Sequence, residues 1–255
     1  MGPLHDRSRS QGREWPDGLM APGTATRIKK GSRPAWTSPS AWLTLFIVCF
    51  LGISLDLWSK HWAFENVAAH PVHLDREVII ADPDWKPPWH EGVEVLPYGL
   101  LDFDLVVNHG AVFGIGQQSR LIFVVFTIIA VIVATLVFAF WTRSDSRWIH
   151  IGIALILAGG LGNLYDRLTF GAVRDFLHMA PGWDLPFGWH WPNGSAEIFP
   201  WVFNVADVLL LLGMAILILR SGQRPEESES SDKSDAEHSE HRLDVEDVTE
   251  GERVG

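Results

Sequence analysis

The chain has 255 residues, 47% of them hydrophobic and 20% charged, with a formal net charge of −11 and a single cysteine. One cysteine excludes a disulfide framework or a thiolate metal site, and Cys49, inside an apolar run, reads as a buried, inert thiol. The acidity is local: residues 221–255 hold twelve Asp/Glu against four Lys/Arg, so the net charge says little about the partners of the rest.

In chain order, residues 1–40 are Gly/Pro/Ser-rich and basic, with seven Lys/Arg and three Asp/Glu, which predicts a disordered basic arm. Four apolar stretches follow, each long enough to cross a hydrocarbon core of about 30 Å. They are Ala41–Trp58, Leu121–Trp141, Ile149–Tyr165 and Trp201–Leu219. The second contains no charge, so it cannot be an amphipathic helix of a soluble core. Residues 221–255 are Ser/Glu/Asp-rich and read as a disordered acidic tail. The expectation is an all-α membrane protein of four transmembrane helices over residues 41–220, with extended outer-face loops, inserts at 65–104 and 177–200, and room there for a small β element.

Basic residues set the orientation. Arg27, Lys29, Lys30 and Arg33 precede the first span, Arg143 and Arg147 lie between spans two and three, and Arg220 and Arg224 follow the fourth. Both termini are therefore expected in the cytoplasm, with loops 59–119 and 166–200 on the outer side.

The unusual polar residues collect at that outer boundary. Asp56 and Lys60 close the first span, Asn108 and Gly110 precede the second, and Asn163, Asp166 and Arg167 end the third. Asp175 follows in the outer loop, and Asn204 and Asp207 open the fourth span, with Asp207 expected about 9 Å below its start. An acid in or beside hydrocarbon is costly and marks function by default. Two carboxylates sharing a low-dielectric site cannot both ionise easily, so one can take a proton from water while the other donates to a carbonyl or leaving amine. Structural readings compete. Asp166–Arg167 can be an interfacial ion pair, Asp56–Lys60 a salt bridge at helix spacing, and Asn108 a turn former.

The motifs Asn108-x-Gly110-Ala111-x-Phe113-Gly114, Gly159-Gly160-x-Gly162-Asn163-x-x-Asp166-Arg167, Gly171-x-Val173-x-Asp175-Phe176 and Phe203-Asn204-x-Ala206-Asp207 resemble, in this order, those of lipoprotein signal peptidases (signal peptidase II). Asp56-x-x-x-Lys60 is similar to that family's first motif. The resemblance implies an aspartic endopeptidase of the bacterial inner membrane that removes the signal peptide from diacylglyceryl-modified prolipoproteins, just before the lipidated cysteine. It implies Asp175 and Asp207 as the catalytic pair. Asn108, Gly110, Asn163, Asp166, Arg167, Asn204, Asp56 and Lys60 would be supporting or substrate-binding positions. The partners implied are the prolipoprotein and membrane lipid, with no cofactor, metal or nucleic acid. Val112 departs from the Ala more usual there, and the inserts 65–104 and 177–200 depart in length. A metal-dependent hydrolase is the first rival, but there is no His-Glu-x-x-His and the eleven histidines are scattered. A proton-conducting four-helix transporter would need polar groups through the bilayer depth, and a catalytically inactive relative would look the same in sequence.

Overall fold

In the computed structural model, residues 33–82, 84–110 and 120–221 are described. The basic arm before residue 33, the acidic tail beyond 221, and Ala111, Val112, Phe113 and Gly114 of the first glycine motif lie outside the described residues.

Four long helices and one short one carry the fold: α1 (Pro39–Asn66), α2 (Arg76–Ala81), α3 (Arg120–Leu136), α4 (Arg147–Thr169) and α5 (Val205–Ser221). α1 starts where Ser38 caps it, its Oγ accepting from the Ala41 N–H at 3.3 Å, with Pro39 in the first turn. Its 28 residues run about 42 Å, longer than a bilayer core, so its last turns extend beyond the expected end at Trp58. α3 ends in a π-helical turn, Val137–Trp141. α1, α4 and the segment Leu121–Trp141 are long and apolar enough to cross a membrane. α5 has 17 residues and starts at Val205 rather than Trp201.

α4 is the central helix, packed against α1, α3 and α5. Small residues allow this. A Cβ at Gly52 would lie 2.7 Å from the Ala158 Cβ, and one at Gly213 would lie 2.6 Å from the Gly152 carbonyl. The outward faces are apolar: Leu121, Ile122, Phe126, Ile129 and Ile132 on α3, and Phe46, Phe50 and Leu51 on α1, are exposed. An apolar surface of this extent requires an apolar solvent.

Among the described residues the strands form one antiparallel sheet of β1 (Val93–Leu96), β2 (Leu101–Asn108), β3 (Val173–Met179) and β4 (Val202–Phe203), in that order. The fold is thus mostly helical, with a small β element whose β1 lies within the first insert and whose β2 and β3 run out of and into the two inserts. The register places Val106 opposite Asp175 and Asn108 opposite Val173. The sheet sits where α1 and α4 end and α5 begins, and a cluster of Ala63, Phe64, Val67, Leu105, Val107 and Phe176 seals helix to strand. At the opposite end, the Ala35 N–H donates to the Thr142 carbonyl at 2.9 Å, and the Ser144 N–H to that of Arg33 at 2.8 Å.

Candidate active site

The N-terminus of α5 organises the polar centre. Asn204 is its cap: the Asp207 N–H donates to Asn204 Oδ1 at 3.1 Å, and the Asn204 N–H donates back to Asp207 Oδ2 at 3.2 Å. This reciprocal capping box satisfies donors that the first helical turn would leave open. It also corrects the expected depth of Asp207. Residues 202–203 are strand rather than helix, so Asp207 is the third residue of α5 and lies in its first turn, not about 9 Å inside a span. The Ala206 N–H is taken by Asp56 Oδ1 at 2.8 Å, which ties α1 to the same helix start.

Asp175 arrives from the other side, on β3, after a turn at Gly171 whose φ of 88° suits glycine. Asn204 reaches it as well, Nδ2 donating to Asp175 Oδ1 at 2.6 Å. Asn204 therefore holds both carboxylates, that of Asp175 through its side-chain amide and that of Asp207 through its backbone N–H. Asn108 donates from Nδ2 to Asp175 Oδ2 at 3.0 Å, while its Oδ1 accepts the Gly110 N–H at 2.8 Å. Asn108 thus shapes a turn and binds an acid at once, and Gly110, with a φ of 97°, makes that turn possible. Asn163 donates to Asp207 Oδ1 at 2.9 Å and accepts from Lys60 Nζ at 3.0 Å and Asn204 Nδ2 at 3.1 Å.

The two acids differ in setting. Asp175 is 1% exposed, whereas Asp207 is only half-buried. Burial, and then the nearby charge of Asp207, push the Asp175 carboxyl up from 3.8 to about 7, against the hydrogen bonds of Asn108 and Asn204 that favour its charged form. Arg167 lies close enough to act on both acids and rests over Phe123, 5.4 Å from the ring centre, with Nη1 donating to the Asn163 carbonyl at 3.3 Å.

Behind the acids lies a buried chain of alternating charge. Lys60 Nζ is 2.8 Å from Asp56 Oδ2 and 3.3 Å from Asp166 Oδ2, all three side chains being fully buried. Asp166 in turn receives Arg174, whose Nη2 is 2.8 Å from Oδ1 and whose backbone N–H is 3.1 Å from Oδ2. The partners of Asp166 are therefore Lys60 and Arg174, not the adjacent Arg167. Arg174 is absent from the residues that the sequence singles out. It occupies an unspecified position of the Gly171-x-Val173-x-Asp175 motif, and its adjacency to Asp175 is the one signal that points to it. All the candidate residues converge here: Asp56, Lys60, Asn108, Gly110, Asn163, Asp166, Arg167, Asp175, Asn204 and Asp207. Among the described residues, no group of three or more His, Cys, Asp or Glu is disposed to hold a metal ion.

Comparison with known proteins bears on this geometry. The sequence model of the signal peptidase (SPase) II family matches residues 48–222. A protein named lipoprotein signal peptidase from Aquifex aeolicus is 36% identical over 163 residues, covering 62% of this chain and 85% of its own length. One of the same name from Dichelobacter nodosus is 28% identical over 189 residues, covering 72% of this chain and 95% of its own. A solved bacterial membrane enzyme is 24% identical, covers 72% of this chain and 93% of its own, and overlays with a TM-score of 0.49.

Proposed function

The chain belongs to the signal peptidase II family, and on that premise we propose that Asp175 and Asp207 are its catalytic pair, hydrolysing the peptide bond just before the lipid-bearing cysteine. The protein is a multi-pass membrane protease that removes the signal peptide from prolipoproteins. The observation that carries the proposed roles is Asn204, whose Nδ2 donates to the Asp175 carboxylate and whose backbone N–H donates to that of Asp207.

The two acids divide the work by their surroundings. Asp175, buried against the sheet, keeps a proton up to about pH 7. Asp207, only half-buried and held by the Asn163 amide and the Asn204 backbone N–H, is the partner that takes a proton from the attacking water. Asp175 then supplies its proton to the carbonyl oxygen or the leaving amine, and the roles reset by exchange with water. Asn108, Asn163 and Asn204 hold the carboxylates, and Arg167 adds positive charge where the tetrahedral intermediate gathers negative charge. The chain Asp56–Lys60–Asp166–Arg174 fixes the helix ends and strand from which the pair projects. This scheme needs no metal or cofactor.

α5 serves as the fourth span, its 17 residues giving about 26 Å of helix. The site then lies at the outer face of a bacterial inner membrane, with both termini in the cytoplasm. The substrate's acyl chains lie against the exposed apolar faces of the helices. The decisive experiment is cleavage of a diacylglyceryl prolipoprotein by Asp175→Asn and Asp207→Asn. Each lowers kcat on the order of 10³-fold, within the range expected for loss of a positioned acid or base. Retained activity in either variant refutes the pairing.

A further inference from the structure

Beside the catalytic pair lies a trough of about 700 Å³ that the reaction scheme leaves without a role. Its floor is β2 from Asp104 to Asn108 together with Asp175. One wall is the strap 84–90, with sequence Asp-Trp-Lys-Pro-Pro-Trp-His, and the other is Pro200–Val202. Two residues of the active site, Asn108 and Asp175, therefore line the same space as the insert.

The strap is held in place by specific bonds. β1 pairs with β2 only as far as Phe103, so beyond that point the strand's outer edge is open to another element. The strap takes this position without becoming a strand, because Pro87 and Pro88 have no N–H to offer a ladder. His90 ties it down. Its Nε2 lies 2.9 Å from the Leu105 N–H and 3.1 Å from Asp104 Oδ1, and its Nδ1 lies 2.9 Å from the Pro88 carbonyl. Trp85 packs against the cluster under the sheet, whereas Trp89 is 85% exposed and overhangs the opening.

We propose that this trough binds the residues immediately following the lipidated cysteine, the segment that becomes the mature N-terminus. The inference rests on the protease reading above. A signal segment crossing hydrocarbon as a helix must lie among α1, α3, α4 and α5. The trough is lined only by sheet and loop residues at the ends of those helices, so only substrate outside the hydrocarbon can enter it. From the scissile bond outward, that is the mature side. β2 from Asp104 to Asn108 is long enough for about four extended residues, and the Trp and Pro walls offer flat apolar surfaces to a peptide backbone. Binding energy gained there, remote from the reacting carbonyl, would go into positioning it, and so would appear in kcat/KM.

The test compares two lipidated substrates identical through the cysteine, one with a single mature residue and one with five. On the wild-type protein the longer substrate is cleaved with a kcat/KM about tenfold higher. In Trp89→Ala, and in the Pro87→Gly, Pro88→Gly double variant, that ratio falls to within about twofold. Trp89 is exposed, so its loss leaves folding intact. Equal rates on the two substrates in wild type, or an unchanged ratio in both variants, overturns the proposal. A second arm reads binding without turnover. A photoreactive benzophenone at the third mature position is crosslinked to Asp175→Asn protein, and the adduct falls within residues 84–90. Adducts confined to the helices overturn the trough. Continued cleavage by Asp175→Asn would instead overturn the catalytic assignment while leaving the crosslink position informative.

Discussion

Asp175 shows how much one residue's setting decides. Burial and the neighbouring charge of Asp207 favour its neutral form, and the amides of Asn108 and Asn204 favour its charged form; the balance lies at about 7. Because the group acts as the acid, kcat should fall as pH rises through about 7, and a pH profile on lipidated substrate measures the limb directly. Asn108→Ala removes a hydrogen bond made to the charged form, so the limb should move to higher pH while the maximal rate drops; a limb that moves down contradicts the assignment. The two aspartates stand out in the sequence because an acid beside apolar segments is too costly to be kept without a role. Arg174 does not stand out, since its partner Asp166 lies eight residues away across a turn. The competing reading of Asp166–Arg167 as an ion pair fails for a simple reason: neighbours on a helix point in different directions, and only positions three or four apart meet. Asp56 and Lys60, four apart, do meet.

The glycine motif of α4 governs how closely three helices approach. A Cβ at Gly162 would run into the Asp56 carboxylate, and one at Gly159 into the Ala206 carbonyl, whereas at Gly160 the nearest atom is a methyl carbon of Val131 at 3.8 Å. Gly162→Ala should therefore destabilise by about 1–3 kcal/mol and reduce activity, because Asp56 is pinned by both Lys60 and the Ala206 N–H and cannot move aside. Gly160→Ala should be neutral, and thermal unfolding of the two variants in detergent distinguishes them. The buried charge chain makes a parallel prediction. Arg174→Met strands Asp166 with one of its two cations gone, at a cost of about 3–5 kcal/mol. If Arg174→Met unfolds at the wild-type temperature, the chain is not structural. Helix positions were readable from hydropathy, and room for a small β element in the outer loops was foreseen, but the helix ends and the strand pairing were not. β2 and β3 depend on pairing residues such as Asn108 and Val173, far apart in sequence, and α5 starts late because Val202 and Phe203 pair with β3.

At the scale of the whole molecule, the described helices have two unlike ends. One carries the sheet, the acids and both aromatic inserts; the other carries the short turn 142–146 and the segment around Ala35. Between these ends the exposed faces of α1 and α3 are apolar and require lipid around them. The membrane character was legible in the sequence because hydropathy acts through the bilayer rather than through packing detail. Sidedness is a separate question, on which Arg143 and Arg147 argue for a cytoplasmic turn, and it yields a test independent of catalysis. In a Cys49→Ser background, a cysteine at Phe187, which is 90% exposed on the insert, or at Asp145, in an exposed ion pair worth little, can be introduced without disturbing the core. A membrane-impermeant maleimide should label Phe187→Cys in right-side-out vesicles only and Asp145→Cys in inside-out vesicles only. The reverse pattern would put the aspartates on the cytoplasmic face, where a prolipoprotein still crossing the membrane would not yet present its cleavage site.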